Sequence, residues 1–524
     1  PFTTASTNTG SIFIINGNPA SNIVLNGSLR TNVSGSISLS ATGSITTNSM
    51  STGFSGSNNG FHIRAGGAGI TISPNSFVST GNGSISLITT AAGASITLTN
   101  ATLVAGGSGS LGVDSRNNIN LGNLSTSKGS IIILADNGGS ILGGGFFSSV
   151  SSGNGDITLN QLGGGAGQIN LTGDVFTSTT GNILMSASGT GGITVRGVRT
   201  GYTGPNKNIT INATAGQLTQ NQFTTISTGT GGNIAFNGNG NVVMQSLSAG
   251  GSGVITSTST LGSLTVGNFA SVSGSAVTLT TLAADAGIMT LNGMVRSNAG
   301  AVSIVSGGAF TTNSSVTSNG GGLSVLVNNG SLTTTASGTL SATGGNLGLT
   351  TINASNGTIN LGAGLTVSDY AFPQTPRSLS ITSARNATAS SLFNFTNTGA
   401  TTVTANSGVL QINGFVSVGG DLIILHNGIA AGDRIVLGNF VGLNAISSSP
   451  TFGNISVAIT NGAVVGIYGA PPIGGTVNRN AFNGGAIFFG PAPFSNTGFT
   501  SLPAKGANIT FFRDAAASAG ITSL

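Results

Sequence analysis

Apolar and polar residues alternate along most of this chain in a short phrase, Gly-x-Ile-x-Leu, that recurs with small variations. It reads Gly35-Ser36-Ile37-Ser38-Leu39, Gly83-Ser84-Ile85-Ser86-Leu87 and Gly155-Asp156-Ile157-Thr158-Leu159. Looser copies are Gly167-Gln168-Ile169-Asn170-Leu171 and Gly357-Thr358-Ile359-Asn360-Leu361. A period of two puts the apolar side chains on one face of a strand of about five residues, introduced by a turn-forming residue. One such strand cannot bury its own apolar face. Stacked copies can, which is the logic of a solenoid.

The spacing agrees. Ile157, Ile183 and Ile209 stand 26 residues apart, and Ile234 follows 25 later. Ile12 to Ile37 and Ile45 to Ile70 are also 25 apart, and Ile85 to Leu111 is 26. A second apolar set passes through Ile96, Ile119, Ile141, Ile169 and Ile193. The expected fold is all-β: a parallel β-helix (β-solenoid) with coils of about 25 residues, each holding two or three short strands in separate sheets. Wound over residues 10–368, it makes roughly 14 coils and, at about 4.8 Å per strand, a rod on the order of 65–70 Å long.

The pattern changes near residue 370. Eight of the 12 prolines and 13 of the 25 phenylalanines lie in 371–524. Pro373 and Pro376, within Asp369–Arg377, remove backbone donors that a ladder needs, so the segment reads as a break. The expected organisation is a solenoid over 1–370, irregular terminal coils or a small β-sandwich over 371–470, and a Phe/Pro-rich end structure over 471–524. A solenoid end exposes unpaired backbone and apolar cross-section, which is either capped or joined to another molecule. Phe488, Phe489, Phe511 and Phe512 have the bulk for both roles and are the candidate assembly contacts. Heterologous joints that do not close make fibres.

Composition rules out several alternatives. Only 4% of the 524 residues are charged, against about 25% in ordinary soluble proteins. Glutamate is absent, all nine acidic residues are aspartate, and lysine occurs only at 128, 207 and 505. A chain without these residues has discarded the main solvent-facing helix formers. The net charge of +5 reflects scarcity of charge rather than basic patches, so nucleic acid has no electrostatic footprint here. There is no cysteine, which leaves stacked strands as the source of stability. No run of 18 apolar residues marks a membrane-spanning helix. The start at Pro1 fits a processed or excerpted chain.

Catalytic constellations are nearly missing. His62 and His426 are the two histidines, and no HExxH, CxxC or P-loop occurs, so neither metal nor cofactor is expected. Asp114, Asp136, Asp156 and Asp174 are 22, 20 and 18 residues apart. Those steps do not match coils of 25 or 26, so the four read as solvated corner residues rather than a carboxylate column. Asp421, His426, Asp433 and Arg434 form the one local cluster, with Asp421 and His426 on opposite strand faces. Glycines before the strands are expected to supply tight corners and positive φ. Asparagines at corners, such as Asn58-Asn59, Asn117-Asn118 and Asn328-Asn329, are expected to adopt left-handed turns and stack between coils. Threonine runs such as Thr46-Thr47, Thr179-Thr180 and Thr333-Thr334-Thr335 suggest ice or mineral binding, but they do not share a phase.

The Gly-x-Ile-x-Leu units, with flanks such as Leu39-Ser40-Ala41-Thr42-Gly43-Ser44-Ile45 and Leu98-Thr99-Asn100-Ala101-Thr102, resemble the repeats of filamentous-haemagglutinin-type exoproteins. They are similar as well to autotransporter passengers of Gram-negative bacteria. The resemblance covers residues 10–368 and lies at the level of the repeat. Ala431–Leu437 is weakly similar to a segment near the end of some repeat-bearing passengers. The chain lacks the Asn-Pro-Asn-Gly secretion motif of the two-partner haemagglutinins. The resemblance implies a right-handed parallel β-helix, export to the bacterial surface, and roles in adhesion, biofilm or surface filaments; it brings no catalytic residues. The expected protein is therefore a non-enzymatic, secreted or cell-surface structural β-solenoid, a filament subunit or an adhesin. It would act by rigid display and self-association, with surface glycans as a further partner class. The alternative is a glycan-binding or glycan-cleaving β-helix protein.

Overall fold

The computed structural model describes residues 2–427 except 54–58, 144–147, 202–206, 363–364, 368–377, 390–392, 395–398, 413–415 and 419–421. Beyond 427 it describes strand backbones alone, the last being Ile509–Phe511. Every regular element among the described residues is a β-strand. The chain divides into two units, Pro1–Thr260 and Leu261–Leu524.

In the first unit each coil feeds three parallel ladders. The first ladder consists mostly of five-residue strands, from Ile12–Asn16 through Ile37–Ala41 and Phe61–Ala65 to Ile255–Ser259. The second carries shorter strands, such as Ile45–Thr47, Gly69–Ile72 and Ser95–Thr97. The third carries Phe77–Thr80, Thr102–Ala105 and Asn123–Thr126 among others. Each strand pairs with its counterpart one coil away: Ile37 with Phe61, Phe61 with Ile85, Ile85 with Leu111. The parallel β-solenoid read from the repeat is the fold of the chain.

The second unit has the same plan. Val277 pairs with Val302 and Val302 with Leu323 in its first ladder, while Met289 pairs with Phe310 in its second. The expected break at 369–377 lies outside the described residues. After it, Leu379–Ser383, Thr401–Ala405 and Leu422–His426 continue the first ladder. The backbones of Ile455–Ile459, Ile487–Phe489 and Ile509–Phe511 follow on the same ladder.

The core follows from the period of two. Positions one, three and five of a first-ladder strand face inward, as in Ile37, Leu39 and Ala41, while Ser38 and Ser40 face out. Ile37, Leu39, Ile157 and Leu159 are fully buried, and each such side chain contributes about 1.5–3 kcal/mol relative to exposure. Coil length is less regular than the sequence spacing suggests. Leu111 pairs with Ile131, 20 residues on, and Leu347 with Leu379, 32 on. The corners absorb the difference, and the strands stay in phase.

The glycines before the strands do two jobs. Gly35 has φ +121°, the conformation expected of a tight corner. Gly129 has an ordinary φ but a Cβ there would sit 2.0 Å from the carbonyl oxygen of Gly109, one coil away. Close approach between coils, rather than backbone handedness, is what requires glycine at that position. Among the described residues no helix is long and apolar enough to cross a membrane.

Candidate functional site

The corners carry most of the polar chemistry. The fifth position of a first-ladder strand points inward at the point where the chain turns, and in several coils it is threonine or serine. Thr281 is fully buried; its hydroxyl donates to the Gly287 carbonyl of its own turn and accepts the Gly307 N–H of the next coil at 2.9 Å. In that next coil Ser306 stands at the same position, with its hydroxyl 3.1 Å from the same Gly287 oxygen. The arrangement recurs at Thr351 with Ser383, which converge on Gly357, and at Thr89 with Ser115, which converge on Ala94. In the third ladder Thr126 and Ser152 both reach the Gly129 carbonyl. Each pair of hydroxyls converges on one turn carbonyl, and those of Gly287 and Gly357 also accept a backbone N–H, from Gly308 and Arg385, so the corner acceptors are well partnered.

A second device runs along the outside. The side-chain oxygen of Asp156 accepts the backbone N–H of Asn182 at 2.7 Å. Asn182 does the same for Asn208 at 3.0 Å, Asn208 for Asn233 at 2.9 Å, and Asn233 for Val254 at 2.9 Å. This ladder of amides confirms the expected stacking of asparagine between coils. Asn118 accepts from Ser140 N–H in the same manner, Asn59 accepts from Gly35 N–H, and Asn329 joins Asp285 to Asn353. Asn58 lies outside the described residues. Among the described residues the left-handed asparagines are others: Asn75, Asn100 and Asn137, with φ of 62°, 59° and 53°.

Among the described residues the histidines and the aspartates do not gather at one site. His62 faces outward between Ser38 and Ser86 and is exposed. His426 is fully buried at a fifth position, opposite Ala405, with Nε2 donating to the Gly408 carbonyl at 2.9 Å. It acts as the corner hydroxyls do. Asp421 and Asp433 lie outside the described residues. Among the aspartates, Asp156 founds the amide ladder, and Asp174 lies 3.9 Å from Arg196. Asp114 is not a corner residue: it stands within the strand Leu111–Ser115, beside Ile88 and Leu134. Because the coil from Leu111 to Ile131 is short, Arg116 reaches Asp136 at 2.8 Å. Burial raises the Asp114 carboxyl above its ordinary value; Asp136 adds to the rise and Arg116 opposes it. Among the described residues no three histidines or acidic groups gather as metal ligands would.

Phe488 and Phe489 lie in the strand Ile487–Phe489, and Phe511 in Ile509–Phe511; Phe488 pairs with Thr510 and Phe489 with Phe511 along the backbone. Their side chains, and Phe512 altogether, lie outside the described residues. The outer surface elsewhere is ordered but plain. In the second ladder of the second unit Thr265, Thr290, Thr311 and Thr333 form one file, a threonine per coil. Thr46, Thr71 and Thr97 form another in the first unit. No common phase shows in the string of residues because Thr47 and Thr334, the neighbours that confuse it, point inward. Each file is one residue wide. In the first unit a groove of about 370 Å³ is lined by Asn75, Ser76, Phe77, Asn100, Thr102 and their neighbours in the next coils.

Comparison of the chain with protein-family models, curated proteins and solved structures finds no match. The class of the molecule is therefore set by its own coordinates, as a parallel β-solenoid repeat protein. The corner hydroxyls went unremarked in the sequence. In the third ladder their signal is a Thr three residues before the glycine, as in Thr80-Gly81-Asn82-Gly83 and Thr126-Ser127-Lys128-Gly129, whereas Thr281 and Thr351 of the first ladder stand six residues before theirs.

Proposed function

We propose that this chain is a structural β-solenoid of the bacterial outer surface or extracellular space, kin to haemagglutinin-type exoproteins and autotransporter passengers. In this reading it works by rigid display and self-association, as a filament subunit or an adhesin. The observation that carries the reading is the outward side of the coils. Serine, threonine and asparagine recur there in register, as in the threonine file from Thr265 to Thr333, and repeated bonds such as those of the amide ladder hold the coils together. A surface so poor in charge sets little repulsion between neighbouring copies. Its hydroxyls and amides can exchange water for those of a sister molecule.

Within this class a self-assembling filament is favoured over a solitary adhesin, because low charge and the Phe-rich end both permit close packing. Electron microscopy of the full chain tests it. Fibres or lateral bundles are expected, and isolated particles across concentration and salt would remove the filament reading. Deleting 471–524 is expected to abolish polymers while leaving the β-sheet circular dichroism. Loss of that signal as well would assign the tail to folding instead.

A further inference from the structure

We propose that the groove at the corner between the second and third ladders of the first unit binds a neutral oligosaccharide. Phe77, Thr102 and Asn123 occupy one register position in successive coils, and Ser148 belongs to the coil after them. The groove thus spans three inter-coil steps of about 4.8 Å, roughly 14 Å in all. Pyranose rings in an extended chain recur at an interval close to one coil step, so about three rings fill a groove of three such steps.

The lining has the mixture that sugars require. Phe77 is half-exposed and offers an aromatic surface to the C–H side of a ring. Asn75 and Asn100 stand at equivalent corners, both with left-handed backbone, and both side chains are exposed. Asn75 N–H is taken by the Asn100 carbonyl, which ties the two corners together and leaves the side-chain amides facing solvent. Each amide offers donors and an acceptor, the pattern that adjacent sugar hydroxyls answer. Asn123 differs in that its oxygen already accepts from Ser149, so its NH₂ group is the part that faces a ligand. Gly122 lets adjacent coils close up beneath the groove: a Cβ there would lie 2.2 Å from the carbonyl oxygens of Leu98 and Ala101 in the preceding coil.

Among the described residues no charged side chain lines the groove. That argues for a neutral glycan, since a sulfated or uronic chain would leave its charges without a counterpart. The volume of about 370 Å³ lies in the range of small-ligand sites, about 300–1,000 Å³. The site stands on its own geometry: filaments that bound no sugar would leave the assembly reading intact and remove this one.

The test is titration of the full chain with neutral oligosaccharides of two to six residues. The probes are β-1,4-linked glucose, β-1,4-linked N-acetylglucosamine, α-1,2-linked mannose and β-1,4-linked galactose series, with a uronic series for contrast. At least one neutral series is expected to bind, with affinity rising up to about three rings, the span set by the coil spacing, and then levelling. Phe77→Thr, which installs the residue type found at the same register in the next coil, should weaken binding at least fivefold. Asn75→Gly with Asn100→Gly, which keeps the left-handed backbone comfortable, should abolish it. Circular dichroism serves as the check that both variants fold. No binding of any neutral series, a preference for the uronic series, or equal binding by wild type and both folded variants would overturn the proposal.

Discussion

Replacing Thr281 with valine isolates the worth of one corner hydroxyl. The two side chains have nearly the same shape, so Thr281→Val leaves packing intact and removes only the hydroxyl. Two hydrogen bonds go with it, one to the Gly287 carbonyl and one from the Gly307 N–H. The carbonyl keeps Ser306 at 3.1 Å and loses little. Gly307 is buried, so its N–H is left in a dry corner without that acceptor. An unsatisfied buried donor costs about 1–3 kcal/mol, partly offset by the apolar methyl that valine brings. A net loss of about 1–2 kcal/mol is expected. Urea unfolding followed by circular dichroism should show a lower midpoint, and hydrogen exchange should show the Gly307 amide opening faster. Thr280→Val, one residue earlier and facing outward, is the control and should change stability by less than about 0.5 kcal/mol. Equal behaviour of the two variants would refute the idea that inward hydroxyls hold the corners.

The amide ladder gives a second test: Asn208→Ala should cost about 1 kcal/mol by removing the acceptor of Asn233 N–H. Asn208→Asp should restore it, since Asp156 already serves one coil as an acceptor. Asp114→Asn should stabilise the protein at neutral pH. Its raised carboxyl binds a proton more tightly folded than unfolded, so stability falls as pH climbs from the ordinary aspartate range through the folded value. The gain in melting temperature from Asp114→Asn should be present at pH 7 and vanish in acid. A gain of the same size at both pH values would rule out ionisation as the cause.

How far the chain could be read in advance depended on which residues repeat. Ile37, Leu39 and their counterparts declare strand, face and stacking at once, because burial on one side forces a period of two and a return every coil. Coil length was less legible: spacing measured from Ile157 to Ile183 does not forewarn of the 20-residue step after Leu111, since corners can shorten without disturbing the ladders. That short step brought Arg116 to Asp136, a contact invisible to a search for a constant period. Thr281 and Ser306 were hidden for another reason. A hydroxyl on an outward row and one buried against a turn carbonyl look alike in a string, and only the inward position in three dimensions separates them. The groove at Asn75 and Asn100 was similarly opaque, since its lining is gathered from several coils.

Ile157, Ile183 and Ile209 stand in one column, and the same bonds are remade at each step. Excising 157–182 would therefore join Asp156 directly to Ile183, an aspartate meeting the isoleucine of an equivalent strand, and no unfamiliar junction would form. A gene encoding such a molecule can lengthen or shorten its product by whole units through recombination between copies. Reach then becomes a quantity that selection adjusts by counting, like notches on a ruler, without redesigning the material.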